Sequence, residues 1–149
     1  MTTVRMATPA DFDGVMNLCR LMYAEGGYDQ WDEEKVRQAV RRGCVDKQSL
    51  IGVIDSAEGP AAVIILELAQ PWYSSEWFLS DAMNFVHPDY RRSDFAKSLI
   101  KYARHLSDNL NVPLRLGVVS NVRTEAKCKM IGRHLTKVGE FFEHRPGAV

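Results

Sequence analysis

The run Ala61-Ala62-Val63-Ile64-Ile65-Leu66-Glu67-Leu68-Ala69 limits what this chain can fold into more than any other stretch. It is far shorter than the roughly 20 residues a membrane helix needs. It also lacks the polar alternation of a strand with one wet face, so it reads as a central strand covered on both faces. Such a strand needs neighbours in its sheet and helices above and below it. The flanking sequence supplies the neighbours: residues 49–55 read as a strand, 56–60 as a turn, and 76–86 as a further strand after a turn at 70–75.

The helices come from period and punctuation. Thr8-Pro9-Ala10-Asp11 is a helix start, with a threonine cap, proline at the first helical position and an acid three residues after the cap. Phe12, Val15, Cys19 and Met22 then share one helical face, and Gly26-Gly27 ends the helix. After a loop at 28–31, Asp32-Glu33-Glu34 opens a second helix with acid at its positive end, striped by Val36, Ala39 and Val40 and closed near Gly43. The longest helical pattern runs from about Ser93 to Leu110, with Phe95, Leu99, Ala103, Leu106 and Leu110 on one side. Residues 3–7 predict a first strand, 113–119 a fifth, 124–135 a fourth helix and 138–143 a final strand. The order β-α-α-β-β-β-α-β-α-β combines hairpins with crossovers. It predicts an α/β (α+β) fold, a mixed and mostly antiparallel sheet flanked by helices. At 149 residues, the chain reads as one domain spanning 1–149.

Composition narrows the function. Nineteen basic residues balance nineteen acidic ones, which argues against a general nucleic-acid or acidic-membrane binder. The start, MTTVRMATPADF, lacks the apolar core of a signal peptide, so a cytoplasmic chain is expected. Cys19, Cys44 and Cys128 are far apart with no CxxC, and the four histidines form no HExxH, so no protein metal site is expected.

Residues 85–100, FVHPDYRRSDFAKSLI, carry the chemistry. An apolar strand ends in a proline turn, two arginines follow, and an amphipathic helix begins at once. A helix N-terminus offers unpaired amides and a positive dipole end, which suits a phosphate or pyrophosphate. Gly-rich dinucleotide and P-loop signatures are absent. In the preceding strand, alternation predicts Trp77, Leu79, Asp81, Met83 and Phe85 on one face, leaving Asp81 a lone carboxylate in an apolar row. Desolvation there would raise its pKa. The other reading of Asp81 is an acid at a strand bulge or edge, paired with an arginine.

Here the sequence resembles the GNAT superfamily of N-acetyltransferases. Val86-His87-Pro88-Asp89-Tyr90-Arg91 matches that family's V-x-P-x-[YW]-R lead-in. Arg91-Arg92-Ser93-Asp94-Phe95-Ala96 matches the first and last positions of its [QR]-x-x-G-x-[GA] motif, with Asp94 in place of glycine. The resemblance implies acetyl-CoA in a cleft between splayed fourth and fifth strands. Its pyrophosphate would meet amides across Arg91–Ala96, its pantetheine would pair with the strand at Phe85 and Val86, and Asn121 would lie on the cofactor side. Asp94 would weaken the grip, since a carboxylate repels a pyrophosphate and its side chain keeps the backbone away.

Direct acetyl transfer needs a base to take a proton from the attacking ammonium. Some family members keep that base five residues before the valine, a register Asp81 occupies relative to Val86. Glu76 and Asn84 are the fallbacks, Asn84 only as an orienter of water or substrate. The family's helix-four tyrosine has no counterpart, because residues 120–149 contain no tyrosine. Met130 or Ile131 falls near its place, while Cys128 reads as core and His134 as surface. For the acceptor, a small-molecule or protein amine, the resemblance points to Tyr23, Tyr28, Trp31, Trp72, Tyr73 and the 140–144 segment. Lys97, Lys101, Arg104, Lys127, Lys129 and Arg133 make a basic surface on two helices, read as a CoA-adenosine face, a nucleic-acid face or a solvated surface. Three functions are carried forward: an acetyl-CoA-dependent N-acetyltransferase, a catalytically silent binding or assembly module of the same fold, and a nucleic-acid-associated domain. The resemblance also implies a homodimer, and since no apolar run approaches the roughly 20 residues of a membrane helix, no membrane partner is expected.

Overall fold

A computed structural model describes residues 2–27, 29–119 and 122–147. Its sheet has five strands in chain order: β1 (Arg5–Met6), β2 (Leu50–Ser56), β3 (Gly59–Ala69), β4 (Phe78–Val86) and β5 (Leu114–Arg115). Every neighbouring pair is antiparallel except β4 and β5, which run parallel. The expected central strand is β3, and Ala61 through Leu66 are all buried. The β2–β3 turn passes through Gly59 at φ +106°, a conformation that disfavours any side chain.

Alternation along β2 and β3 builds two cores. Ile51, Val53, Val63 and Ile65 face helices α1 (Phe12–Gly26) and α2 (Glu33–Cys44), meeting Val15, Leu18, Cys19 and Val40. Ile54, Ala62, Ile64 and Leu66 face α3 (Phe95–Leu110), meeting Leu99 and Ala103. Fully burying each such aliphatic side chain stabilises by about 1.5–3 kcal/mol, which is why the sheet is covered on both sides.

The starts of the first two helices follow the sequence. Pro9–Asp11 forms a 3-10 turn leading into α1, and the Thr8 amide donates to the Asp11 carboxylate at 2.7 Å. Asp32 caps α2 by accepting from the Lys35 amide at 3.0 Å. Arg5 reaches from β1 to clamp Asp11 at 2.8 Å and Asp55 at 2.7 Å.

The second half of the sheet departs from expectation. The fifth strand is confined to Leu114–Arg115, and α4 (Thr124–Gly132) stops short of 135. The final strand expected at 138–143 does not form, and Val138, Phe141 and Phe142 are left 86, 87 and 89% exposed. A strand needs an edge to pair with, and β5 keeps its ladder for too short a distance to provide one. Cys128 is exposed rather than core, because α4 buries no residue.

The Arg5 hydrogen bonds hold the Asp11 carboxyl down at about 2, below its unfolded value. That contribution is therefore present above about pH 4 and is lost as pH falls through about 2. Urea unfolding from pH 5 to pH 2 should lose on the order of 1–2 kcal/mol through this group, discounted because Arg5 is partly solvated. Asp11→Asn should be less stable at pH 5 and should lack that part of the acid dependence.

Candidate functional site

The parallel β4–β5 ladder is only two rungs long, Leu79↔Leu114 and Ser80↔Arg115. One step further on, the main chain of the departing segment is met by a side chain instead: the Gly117 amide donates to Asp81 Oδ1 at 3.0 Å. From there to Val86, β4 has β3 on one side and, among the described residues, no strand on the other. A wedge therefore opens between β4 and the chain leaving β5, with Asp81 at its apex.

A bulge sits at the same point. Met83 opposes Ile65 and Asp81 opposes Leu66, so Ala82 is an extra residue with no opposite number. The bulge overturns the expected single face. Leu79 packs toward α3, whereas Met83 and Phe85 pack toward α1 and α2. Asp81 pairs across the sheet with Leu66 and Asn84 with Ile64, which places both on the α3 side of β4. Of the two readings of Asp81, its position at a bulge holds, but its partner is a main-chain amide and not an arginine. Burial pushes the Asp81 carboxyl above its ordinary range, opposed by the Gly117 hydrogen bond.

The corner after β4 is built by the lead-in residues. His87 extends the β3 ladder by donating its amide to the Ala61 carbonyl at 2.8 Å, and its Nδ1 accepts from the Asp89 amide at 3.1 Å. Pro88–Tyr90 makes a 3-10 turn, and the Tyr90 ring stacks on Phe95, the first residue of α3, at 5.6 Å. Ser93 Oγ accepts from the Phe95 amide at 3.2 Å. The amides of Arg92, Ala96 and Lys97 have no hydrogen-bond partner among the described residues. These are the donors that a helix start presents to an anion.

The motif side chains divide by role. Arg91 turns inward: it donates to the Val86 carbonyl at 3.2 Å, pairs with Glu25 of α1 at 2.5 Å and lies 5.3 Å over the Phe85 ring. Arg92 is exposed and in no ion pair among the described residues. Asp94 stands at the N-cap position of α3 without a side-chain capping bond, and its carboxylate accepts from the Thr2 hydroxyl, which holds it below the usual carboxylate range. Nearby, Lys127 of α4 is held below its ordinary pKa by burial and by the charges of Arg91 and Arg123, with Glu25 opposing.

The acceptor-side aromatics are not brought together. Trp31 is half-buried against the α1–α2 core and donates its indole N–H to Glu33 at 3.0 Å, with Tyr23 at 5.1 Å. Tyr73 and Trp72 are exposed in the β3–β4 loop, at the opposite end of β4 from the corner. Tyr28 and Asn121 lie outside the described residues. A hollow of about 290 Å³, lined by Thr2, Thr3, Arg5, Ile54, Asp55 and Phe95, lies toward the opposite sheet edge from β5 and is separate from the wedge. Among the described residues no group of His, Cys, Asp and Glu could hold a metal ion, and no helix is long and apolar enough to cross a membrane. Sequence reasoning missed Glu25 and Gly117, whose partners are 66 and 36 residues away.

No family model and no curated protein matches the chain. Solved structures do. A GCN5-related N-acetyltransferase from Ralstonia eutropha superposes with TM-score 0.75 at 16% identity, covering 99% of this chain and all of that one (100%). A predicted acetyltransferase from Clostridium acetobutylicum, solved with acetyl-CoA, gives 0.74 at 12% identity, covering 97% of this chain and 96% of that one. An aminoglycoside 6′-N-acetyltransferase from Acinetobacter baumannii gives 0.68 at 15% identity, covering 99% and 100%. The fold is that of the GNAT acetyltransferases.

If Asp81 tethers the chain leaving β5, its removal should free that amide. Asp81→Ala is expected to speed hydrogen exchange at Gly117 by about tenfold, the loss of one charge-assisted hydrogen bond. Exchange across β2 and β3 should stay unchanged. NMR exchange on the two proteins measures both.

Proposed function

We propose that residues 1–149 form one acyltransferase domain that transfers an acetyl group from acetyl-CoA to a primary amine by direct attack. The observation that carries this reading is the wedge between β4 and β5, followed at once by a helix start with unpartnered amides. Those parts fit the donor. The unpaired half of β4, through Phe85 and Val86, offers main-chain groups to the pantetheine. The amides of Arg92, Ala96 and Lys97, with the Arg92 guanidinium, would hold the pyrophosphate. Acetyl-CoA would supply a thioester with a thiolate leaving group.

The chain's own residues divide the remaining work. Arg91 holds the end of β4 in place through the Val86 carbonyl and leaves the phosphate to Arg92 and the amides. Asp81, at the wedge apex with a pKa raised by burial, is positioned to take a proton from an attacking ammonium. Asn84 shares its face and would orient the amine or a water. A free thiol has a pKa near 8.5, so the departing thiolate can collect its proton from water without a tyrosine. Aminoglycosides are amine acceptors of one structural neighbour, which supports a polyamine as a first class to screen.

A second reading, a silent binding module of the same fold, is favoured by one specific feature. The Asp81 carboxylate is already engaged by Gly117, as a structural acid would be. Calorimetric titration with acetyl-CoA, with CoA and ATP as comparisons, addresses the cofactor in both readings. Micromolar acetyl-CoA affinity with much weaker ATP binding is expected; no binding into the millimolar range overturns the transferase reading.

Turnover then separates enzyme from module. Asp81→Asn should lower kcat by about 10²–10⁴-fold, the usual range for a general base, with the acetyl-CoA Kd nearly unchanged. Because the base works ionised and burial raises its pKa, the rate should fall as pH drops through a midpoint above the ordinary carboxylate value of 3.8. An unchanged rate in the variant removes Asp81 from the mechanism. Asp94→Asn, which keeps a hydrogen-bonding side chain for Thr2 and removes the charge, should tighten acetyl-CoA binding by roughly two- to fivefold. Weaker binding would show that the carboxylate supports the loop.

A further inference from the structure

The loop between β3 and β4 holds two aromatic rings out in water on a braced frame. Gln70 Nε2 donates across the loop to the Ser75 carbonyl at 2.6 Å. The Ser74 amide donates to the Pro71 carbonyl at 3.2 Å, and the Glu76 amide to Ser74 Oγ at 3.1 Å. On this frame Trp72 is 96% and Tyr73 73% exposed. Their ring planes stand 83° apart with centroids 5.6 Å apart, so the two rings make an open, nearly right-angled corner.

The chemistry of that corner selects a cation. Each ring carries negative charge on its π face, and a cation seated in the angle meets two such faces at once. The charge of the loop has the matching sign. Residues 66–78 contain two acids, Glu67 and Glu76, and no Lys, Arg or His. Glu67 pairs with Arg42 at 3.2 Å, whereas Glu76 is exposed and in no ion pair among the described residues. An anionic ligand would meet no positive side chain on this loop. An apolar partner would have to cover an uncompensated carboxylate, which is costly.

The chain does not fill the corner itself. Arginines lie over the rings of Phe12, Phe85 and Phe78, at 5.1, 5.3 and 4.2 Å, but among the described residues none lies over Trp72 or Tyr73. Arg115, which the β4–β5 ladder brings to the start of β4, is the cation engaged by Phe78. The loop is also at the opposite end of β4 from the corner that runs from His87 to Asp94, so it is separate from the residues assigned to acetyl-CoA. We propose that Trp72 and Tyr73, with the Glu76 carboxylate of the same loop, bind an alkylammonium group, carried by a small quaternary amine or by a lysine side chain. This inference goes beyond the acetyl-CoA reading and does not depend on it.

The test is an NMR titration of the full chain, followed at the Trp72 indole N–H and the amides of residues 70–77. The probes are choline, its uncharged carbon isostere, and a short lysine peptide blocked at both ends. Choline should give saturable shifts confined to the loop, and the isostere should bind about five- to thirtyfold more weakly, the scale of exposed cation–π contacts with two rings. Trp72→Ala and Tyr73→Ala, both on an exposed loop, should fold normally and each weaken choline binding severalfold. Glu76→Gln should weaken it by about two- to threefold and reduce its dependence on salt. Tighter binding of choline assigns the site to a small quaternary amine, and tighter binding of the peptide assigns it to a lysine side chain. Equal affinity for choline and the isostere overturns the proposal, because the corner would then be an apolar surface. So do shifts that survive in both ring variants, and so does the absence of saturable shifts with either cation.

Discussion

A strand that buries both of its faces sets the terms for the rest of this molecule. Ala62, Ile64 and Leu66 of β3 face α3, while Val63 and Ile65 face α1 and α2. Leaving either set in water would forfeit several kcal/mol, at roughly 25 cal/mol for each Å² of apolar surface. Helices must therefore cover the sheet on both sides, and the chain must cross from one side to the other. It does so after β4, where the corner from His87 to Asp94 leads into α3. The functional corner is thus a consequence of the two-sided core: the same crossing that covers β3 presents the start of a long helix beside a strand end.

The wedge has a similarly local cause. Ala82 inserts one residue into β4, which turns the strand over. Its first half contributes Leu79 to the α3 core, and its second half contributes Met83 and Phe85 to the other. A parallel partner matched to the first half cannot stay in register with the second, and the ladder to β5 ends at Arg115. Asp81, at the last residue before the insertion, meets the first free amide across the gap. Its half-buried carboxylate gains one strong hydrogen bond there but not full hydration, which keeps its pKa above the ordinary value.

What could be read in advance follows the range of the interactions. The apolar run of β3, the caps at Thr8 and Asp32, and the faces of α1, α2 and α3 depend on residues within a few positions, and each was legible. So was the corner from Val86 to Ala96, whose turn and stacking are made by neighbours. The bulge was legible only as one of two readings of Asp81, because alternation alone does not show where an extra residue sits in Ser80-Asp81-Ala82-Met83-Asn84. The brevity of β5 and the missing last strand were illegible: a strand exists only with an edge to pair with, and the pattern of 138–143 carries no information about that edge. The inward turn of Arg91 depends on Glu25, brought close by packing alone. Sequence reasoning placed the two arginines together as phosphate ligands, whereas only Arg92 is left facing solvent.

Asp94 shows how one substitution can be good for a helix and poor for an anion site at the same time. At the N-cap of α3 a carboxylate lies against the positive end of the helix dipole, an interaction typically worth 0.3–1 kcal/mol. Glycine there would give up that stabilisation but leave the amides open and uncharged. The structure holds the two demands apart by direction. The Asp94 carboxylate is drawn to the Thr2 hydroxyl at the start of the chain, while Ser93 supplies the cap to the Phe95 amide and the amides of Arg92, Ala96 and Lys97 stay unpartnered. The carboxylate's charge still acts on any anion at the helix start.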